Sequence, residues 1–165
     1  MNGVSDEETD GFVRPVFAFL ASATPAVAAP PSDDVLLDVT FKANQLCKYP
    51  VQLVVTGKSK FVDLPGDRFF IASPGQELTV TNVKTGEEAT FLITGSTHAE
   101  VQADGTTEVK VTGLNVVANP RESKSDRPGL FLLEGNFTFA LKEDGTEERV
   151  FSGTGEVTDI CALLA

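Results

Sequence analysis

Apolar and polar residues alternate along most of the chain from Val35 onward. In residues 35–43, apolar side chains occupy positions 35, 37, 39 and 41, and polar ones occupy positions 38, 40 and 42. This period of two predicts a strand with one buried face. Similar short runs follow at 51–56, 60–64, 69–72, 77–83, 89–94, 99–102, 108–117, 130–134, 136–141 and 149–157.

Turn residues separate these runs, and no window of 11 or more residues has helical periodicity. Glycine supplies the positive φ that tight turns require, and it lies between apolar runs at Gly66, Gly75, Gly86, Gly105 and Gly145. About ten short strands predict an all-β fold over residues 35–165, built as an antiparallel β-sandwich. A closed β-barrel with a ligand cavity is the alternative.

The chain is strongly acidic. Its 165 residues have a formal net charge of −11, and the part from Ala29 onward carries 20 acidic and 12 basic residues. Such a surface repels phosphate backbones and anionic lipid head groups. We therefore expect no nucleic-acid partner, whereas a cell-surface or protein partner stays open.

Residues 1–34 differ from the rest of the chain. An apolar stretch from Phe12 is followed by small residues and ends in Ala26-Val27-Ala28, the pattern of a signal-peptide cleavage site. This predicts cleavage after Ala28 or Ala29 and a secreted or cell-surface protein. The acidic start, where a signal peptide is normally basic, leaves the alternative of a disordered tail on a cytoplasmic protein. No integral membrane segment is predicted.

The two cysteines, Cys47 and Cys161, are 114 positions apart. Two cysteines in an exported chain usually pair. Closing a loop of that length would restrict the unfolded chain by about 4–5 kcal/mol. We expect a bridge that ties the end of the last strand to the first hairpin. Two buried free thiols in a cytoplasmic protein are the alternative.

Candidate chemistry is sparse. His98 is the single histidine, and in an extended strand it shares a face with Ser96. A hydrolase using this pair also needs a carboxylate, and no Gly-x-Ser-x-Gly element accompanies the serine. One histidine and two distant cysteines cannot form a zinc site, and the acidic residues do not follow calcium-loop spacing. We predict no catalytic residue, metal or cofactor.

Residues 119–129 break the strand pattern, with prolines as their only apolar side chains. This stretch predicts an exposed loop that carries Arg121, Lys124 and Arg127.

The two ends of the domain resemble one family. Cys47-Lys48-Tyr49-Pro50-Val51 near the start and Asp159-Ile160-Cys161-Ala162-Leu163-Leu164 at the end are similar to motifs of small exported actinobacterial proteins. The resemblance covers about residues 35–165. It implies an exported β-sandwich with a Cys47–Cys161 link, and it implies no activity, because the family has none assigned.

Three functions follow as hypotheses. The first is a non-enzymatic exported or cell-surface module with an unknown binding role. The second is a small-molecule-binding barrel, and the third is a hydrolase using Ser96 and His98. The barrel requires a cavity lined by some of eight phenylalanines, Phe41, Phe61, Phe69, Phe91, Phe131, Phe137, Phe139 and Phe151.

Overall fold

The computed structural model describes residues 35–121 and 127–165, which form ten strands and one short helix. The elements are β1 (Val35–Phe41), β2 (Val51–Thr56), β3 (Lys60–Leu64), β4 (Arg68–Ala72), β5 (Glu77–Asn82), β6 (Glu88–Leu92), β7 (Ser96–Val101), β8 (Thr107–Asn119), β9 (Gly129–Leu141), β10 (Glu147–Asp159) and α1 (Ile160–Leu163). The predicted all-β class is confirmed. The signal-peptide interpretation of residues 1–34 falls outside the described ranges, as does Lys124.

The strands form two antiparallel sheets. The four-stranded sheet has the order β1-β2-β5-β6, and the six-stranded sheet has the order β10-β9-β8-β7-β4-β3. Every pair of neighbours is antiparallel. Across the described ranges neither sheet closes into a barrel, so the predicted sandwich is confirmed and the barrel alternative is wrong.

The last three strands are longer than the sequence pattern predicts, at 13 residues each. The prediction of separate strands at 130–134 and 136–141 is wrong, because Gly135 stays within the ladder. Gly135 lies opposite Gly113 of β8 on one side and Gly155 of β10 on the other. These three residues, here called the glycine row, lie side by side near the middle of β8, β9 and β10, the three strands at one edge of the sheet.

The backbone of the glycine row requires glycine. The φ angles of Gly113, Gly135 and Gly155 are +79°, +140° and +140°, a region that residues with side chains rarely adopt. A Cβ atom on Gly135 would overlap the carbonyl oxygen of Thr154, and one on Gly155 would overlap that of Glu134. The paired backbones of β9 and β10 therefore leave no room for a side chain at Gly135 or Gly155.

The six-stranded sheet bends at this row. Phe131 and Phe137 are six positions apart in β9, which corresponds to about 20 Å along a straight strand. Both rings nevertheless contact the ring of Phe151, with centroid distances of 5.3 and 6.2 Å. The halves of the strand on either side of Gly135 therefore fold toward each other.

The bend gives the domain two apolar cores. One lies between the sheets and includes Val51 and Leu53 of β2 together with Leu130 of β9. The other lies inside the bend and includes Val109 and Phe131. Leu130 and Phe131 are consecutive and point to opposite faces of β9, yet their exposed fractions are 0% and 3%. This half of β9 is thus a middle layer with a core on each side.

A disulfide joins Cys47 to Cys161, with the two Cα atoms 5.4 Å apart, which confirms the predicted pairing. The prediction that Cys161 ends the last strand is wrong. β10 stops at Asp159, whose carboxylate accepts a hydrogen bond from the Ala162 amide at 3.0 Å and so begins α1. Cys47 lies between β1 and β2 of the four-stranded sheet, and Cys161 lies in α1, directly after β10 of the six-stranded sheet. The bridge therefore links the two sheets rather than two neighbouring strands.

Buried polar contacts hold α1 beside the bridge. The Tyr49 hydroxyl donates to the Cys161 carbonyl oxygen at 2.8 Å, and burial, with the nearby Asp159 carboxylate, raises the tyrosine pKa. The Asn82 amide donates to the Leu164 carbonyl oxygen at 2.8 Å. Each contact satisfies a backbone acceptor at the end of a helix too short to satisfy it internally. Within the described ranges, no helix has the length and apolarity that crossing a membrane needs.

Candidate functional site

The Ser96–His98 pair lies on the outer face of the six-stranded sheet, defined here as the face opposite the one that carries Ala99, Val109 and Phe137. β7 is flanked by β4 and β8, so the register sets the neighbours of the pair. His98 lies between Phe70 and Lys110, and Ser96 lies opposite Thr112.

The two side chains interact with other residues rather than with each other. The Ser96 hydroxyl hydrogen-bonds the Thr112 hydroxyl at 2.7 Å. The imidazole of His98 packs on the Phe70 ring, with centroids 4.6 Å apart and planes tilted by 45°. A serine nucleophile needs its base within about 2.6–3.2 Å. Among the described residues, no hydrogen bond connects Ser96 to His98.

A shallow depression of about 450 Å³ surrounds His98 on this face. It is here called the outer-face depression. Its lining combines charged, hydroxyl and apolar residues: Arg68, Lys110, His98, Glu100, Glu108, Thr112, Thr138, Leu64, Phe69, Ala99 and Val109. These residues come from β3, β4, β7, β8 and β9, so antiparallel pairing rather than a flexible loop fixes their spacing.

Part of the charge in the depression is already paired. Arg149 of β10 forms an ion pair with Glu108 and donates to the Thr138 hydroxyl at 3.4 Å. Arg68 donates from Nε to the Pro65 carbonyl oxygen at 2.9 Å, which orients its guanidinium group. In residues 35–121 and 127–165, Arg68, Lys110 and Glu100 take part in no ion pair. Three exposed charges therefore face solvent on a rigid sheet.

The eight phenylalanines do not line one cavity. Phe41 and Phe91 pack against the core between the sheets, whereas Phe131 and Phe137 both contact Phe151 inside the bend. Phe69 and Phe139 pack at the edge of that second core, and Phe61 is 38% exposed. Of the eight, only Phe69 lines the outer-face depression.

The predicted loop is anchored at both described ends. The Arg121 amide donates to the Gln45 carbonyl oxygen at 2.8 Å, and the Asn119 side chain donates to the Arg127 carbonyl oxygen at 3.1 Å. The side chains of Arg121 and Arg127 are both exposed. The guanidinium carbon of Arg127 lies 4.8 and 4.9 Å from the ring centroids of Phe131 and Phe151. Arg127 therefore covers one end of the core inside the bend.

Replacing Arg127 should weaken the domain. Arg127→Ala is expected to lower the free energy of unfolding by about 1 kcal/mol, because an exposed cation on an aromatic ring contributes ~0.5–1 kcal/mol and Arg127 contacts two rings. Urea unfolding measures the change. Arg121→Ala is the matched control, since its described contact is made by the backbone. Equal stability of the two variants would contradict the assignment.

Within the described ranges, no group of three or more His, Cys, Asp or Glu side chains is arranged to hold a metal ion. Asp104 and Asp144 instead serve two Asp-Gly-Thr turns, each accepting from the amide and hydroxyl of the threonine two positions on. These bonds, chiefly those from the threonine side chains, lower the pKa of both carboxyl groups.

Comparison with known proteins gives no relative: no protein-family model, no curated protein and no solved structure matches the chain.

Proposed function

We propose that the protein is a non-enzymatic module, exported or held at the cell surface, that binds a polar partner through the outer face of the six-stranded sheet. The outer-face depression carries this proposal. Its strands carry Arg68, Lys110 and Glu100, which have no ion-pair partner among the described residues. None of the three side chains belongs to either apolar core. Charged groups grouped on one surface can attract a partner of complementary charge.

Three observations support export. The Cys47–Cys161 disulfide is of the kind that persists in oxidising compartments. The sequence of residues 1–34 has the cleavage pattern described above, and the motifs around both cysteines resemble exported actinobacterial proteins.

The absence of an enzymatic role is part of the proposal. It is supported by the contacts that Ser96 and His98 do make, since Thr112 and Phe70 hold them in place. The acidic body disfavours nucleic acid, so the partner is expected to be a small polar molecule, a cell-surface component or a protein.

Intact-mass measurement of the chain expressed with residues 1–34 tests export. We expect a secreted product that begins at Ala29 or Pro30, with a mass two hydrogen atoms below that of the reduced form. The mass fixes the N-terminus and the thiol count in one measurement. Full-length protein in the cytoplasm, beginning at Met1 or Asn2, would defeat this part of the proposal.

A thermal-shift screen of soluble polar ligands tests binding at the outer face. We expect at least one ligand to raise the melting temperature of the wild type but not of Arg68→Ala/Lys110→Ala. Lys84→Ala, an exposed lysine after β5 in the other sheet, should respond like the wild type. A ligand that stabilises all three proteins equally binds elsewhere, and that result would argue against the outer face.

A further inference from the structure

The outer face differs in charge from the rest of the domain. From Ala29 onward the chain has 20 acidic and 12 basic residues. The strand register nevertheless places Lys60, Arg68, Lys110 and Arg149 on this one face, together with the single histidine. An anionic ligand would be repelled by most of the surface and attracted here.

The two cations of the depression, Arg68 and Lys110, lie on the strands that flank β7. Arg68 of β4 lies opposite Glu100 of β7, and Lys110 of β8 lies opposite His98 of β7. The bond from Arg68 Nε to Pro65 leaves the terminal Nη groups of the guanidinium without a hydrogen bond among the described residues. A guanidinium edge and an ammonium group suit a carboxylate.

The acidic side chains limit how negative the ligand can be. Glu100 and Glu108 line the same depression, and Arg149 neutralises only Glu108. A dianionic phosphate would be repelled by the unpaired Glu100 carboxylate, whereas a single carboxylate meets less repulsion.

The remaining groups suit hydroxyls and a small apolar surface. Ionised Glu100 accepts hydrogen bonds, and the Thr112 and Thr138 hydroxyls can donate or accept them. Leu64 offers apolar contact. The depression has a volume of about 450 Å³ and is open to solvent, so a bound ligand would keep one face exposed. A ligand with one carboxylate, several hydroxyls and an apolar ring face matches this set.

We propose that the outer-face depression binds an acidic sugar of the uronic-acid type, with its carboxylate on Arg68 and Lys110 and its hydroxyls on Glu100 and the two threonines. This inference rests on the proposed function, because it names the ligand class of the same surface. The sugar could be free or part of an anionic polysaccharide, since both present the same group.

Titration of the ¹⁵N-labelled oxidised protein, followed by amide chemical shifts, tests the proposal. The probes are galacturonic acid, trigalacturonic acid, galactose, succinate and inorganic phosphate. We expect saturable shifts in β4, β7 and β8 with galacturonic acid, and affinities at least tenfold weaker for galactose, succinate and phosphate. A trimer that binds at least tenfold more tightly than the monomer indicates a polysaccharide, and equal affinities indicate the free sugar.

Variants assign the contacts. Arg68→Gln/Lys110→Gln should weaken galacturonic acid binding at least tenfold, and Lys84→Gln should leave it unchanged. Glu100→Ala separates the sugar from a bare carboxylate: it should weaken galacturonic acid and strengthen succinate. All substituted side chains are exposed, and an unchanged melting temperature confirms that each variant is folded.

Three results would overturn the inference, in two different ways. Succinate or phosphate binding as tightly as galacturonic acid, or no galacturonic acid binding while another polar ligand binds this face, would reject the sugar and leave the proposed function standing. Saturable galacturonic acid shifts confined to the four-stranded sheet would reject the outer face itself, and the proposed function with it.

Discussion

Gly135→Ala is expected to lower the free energy of unfolding by about 2–6 kcal/mol, because backbone strain and steric overlap both oppose the added methyl group. Strain at a φ of +140° costs ~1–3 kcal/mol, and forcing atoms into packed structure costs a further ~1–3 kcal/mol. The new Cβ would overlap the Thr154 carbonyl oxygen, which belongs to the neighbouring strand and cannot rotate away. Urea unfolding of both proteins measures the difference.

Gly86→Ala is the matched control. Gly86 also has positive φ, +79°, but a Cβ added to it would meet no atom within 4 Å. Its cost should be that of backbone strain alone, ~1–2 kcal/mol. If Gly135→Ala is no less stable than Gly86→Ala, close strand approach does not explain the glycine row.

Removal of the disulfide should lower the free energy of unfolding by nearly as much as Gly135→Ala. Cys161→Ser is expected to lower the free energy of unfolding by about 2–5 kcal/mol, because the bridge closes a long loop in the unfolded chain. α1 should be released first, since without the bridge only the hydrogen bonds from Tyr49 and Asn82 and the packing of Ile160 and Leu164 hold it. Denaturant unfolding gives the stability, and amide hydrogen exchange in α1 gives the order of release.

Two controls isolate the bridge from the free thiol. Cys47→Ser/Cys161→Ser should match Cys161→Ser, because neither variant can form the disulfide. Wild-type protein unfolded under reducing conditions should match both. A reduced wild type as stable as the oxidised one would show that the two cysteines act as ordinary core residues.

Alternation and turn chemistry made most of the fold predictable. The period of two holds wherever one strand face is buried, and Asp-Gly turns at Gly105 and Gly145 end the runs as the sequence indicates. α1 was not predictable in the same way, because four residues are too short for helical periodicity. Its local signal was Asp159, which caps the first turn.

The glycine row was not predictable, because it depends on register. A glycine inside an alternating run can end a strand or bend it, and the outcome depends on what lies opposite. Gly155 faces Gly135 only after two irregularities shift the pairing of β10 on β9, between Glu147 and Ser152. Such bulges have no reliable sequence signature.

The candidate site could not be predicted in full either, because it also depends on strand register. Ser96 and His98 could be placed on one face because they lie two positions apart in a single strand. Arg68, Glu100 and Lys110 come from three strands and become neighbours through cross-strand pairing. The role of Arg127 was also hidden, since its ring partners Phe131 and Phe151 are distant from each other in the sequence.

The middle layer formed by Leu130 to Leu133 makes the two cores thermodynamically dependent on each other. Leu130 and Leu132 pack toward the four-stranded sheet, while Phe131 and Leu133 pack into the bend. The four-stranded sheet cannot separate from β9, and the bend cannot open, without exposing apolar side chains of β9. Both cores are built on this one strand. Local opening should therefore be confined to edges such as β3, and the amides of Leu130–Leu133 should exchange with solvent only when the whole domain unfolds cooperatively.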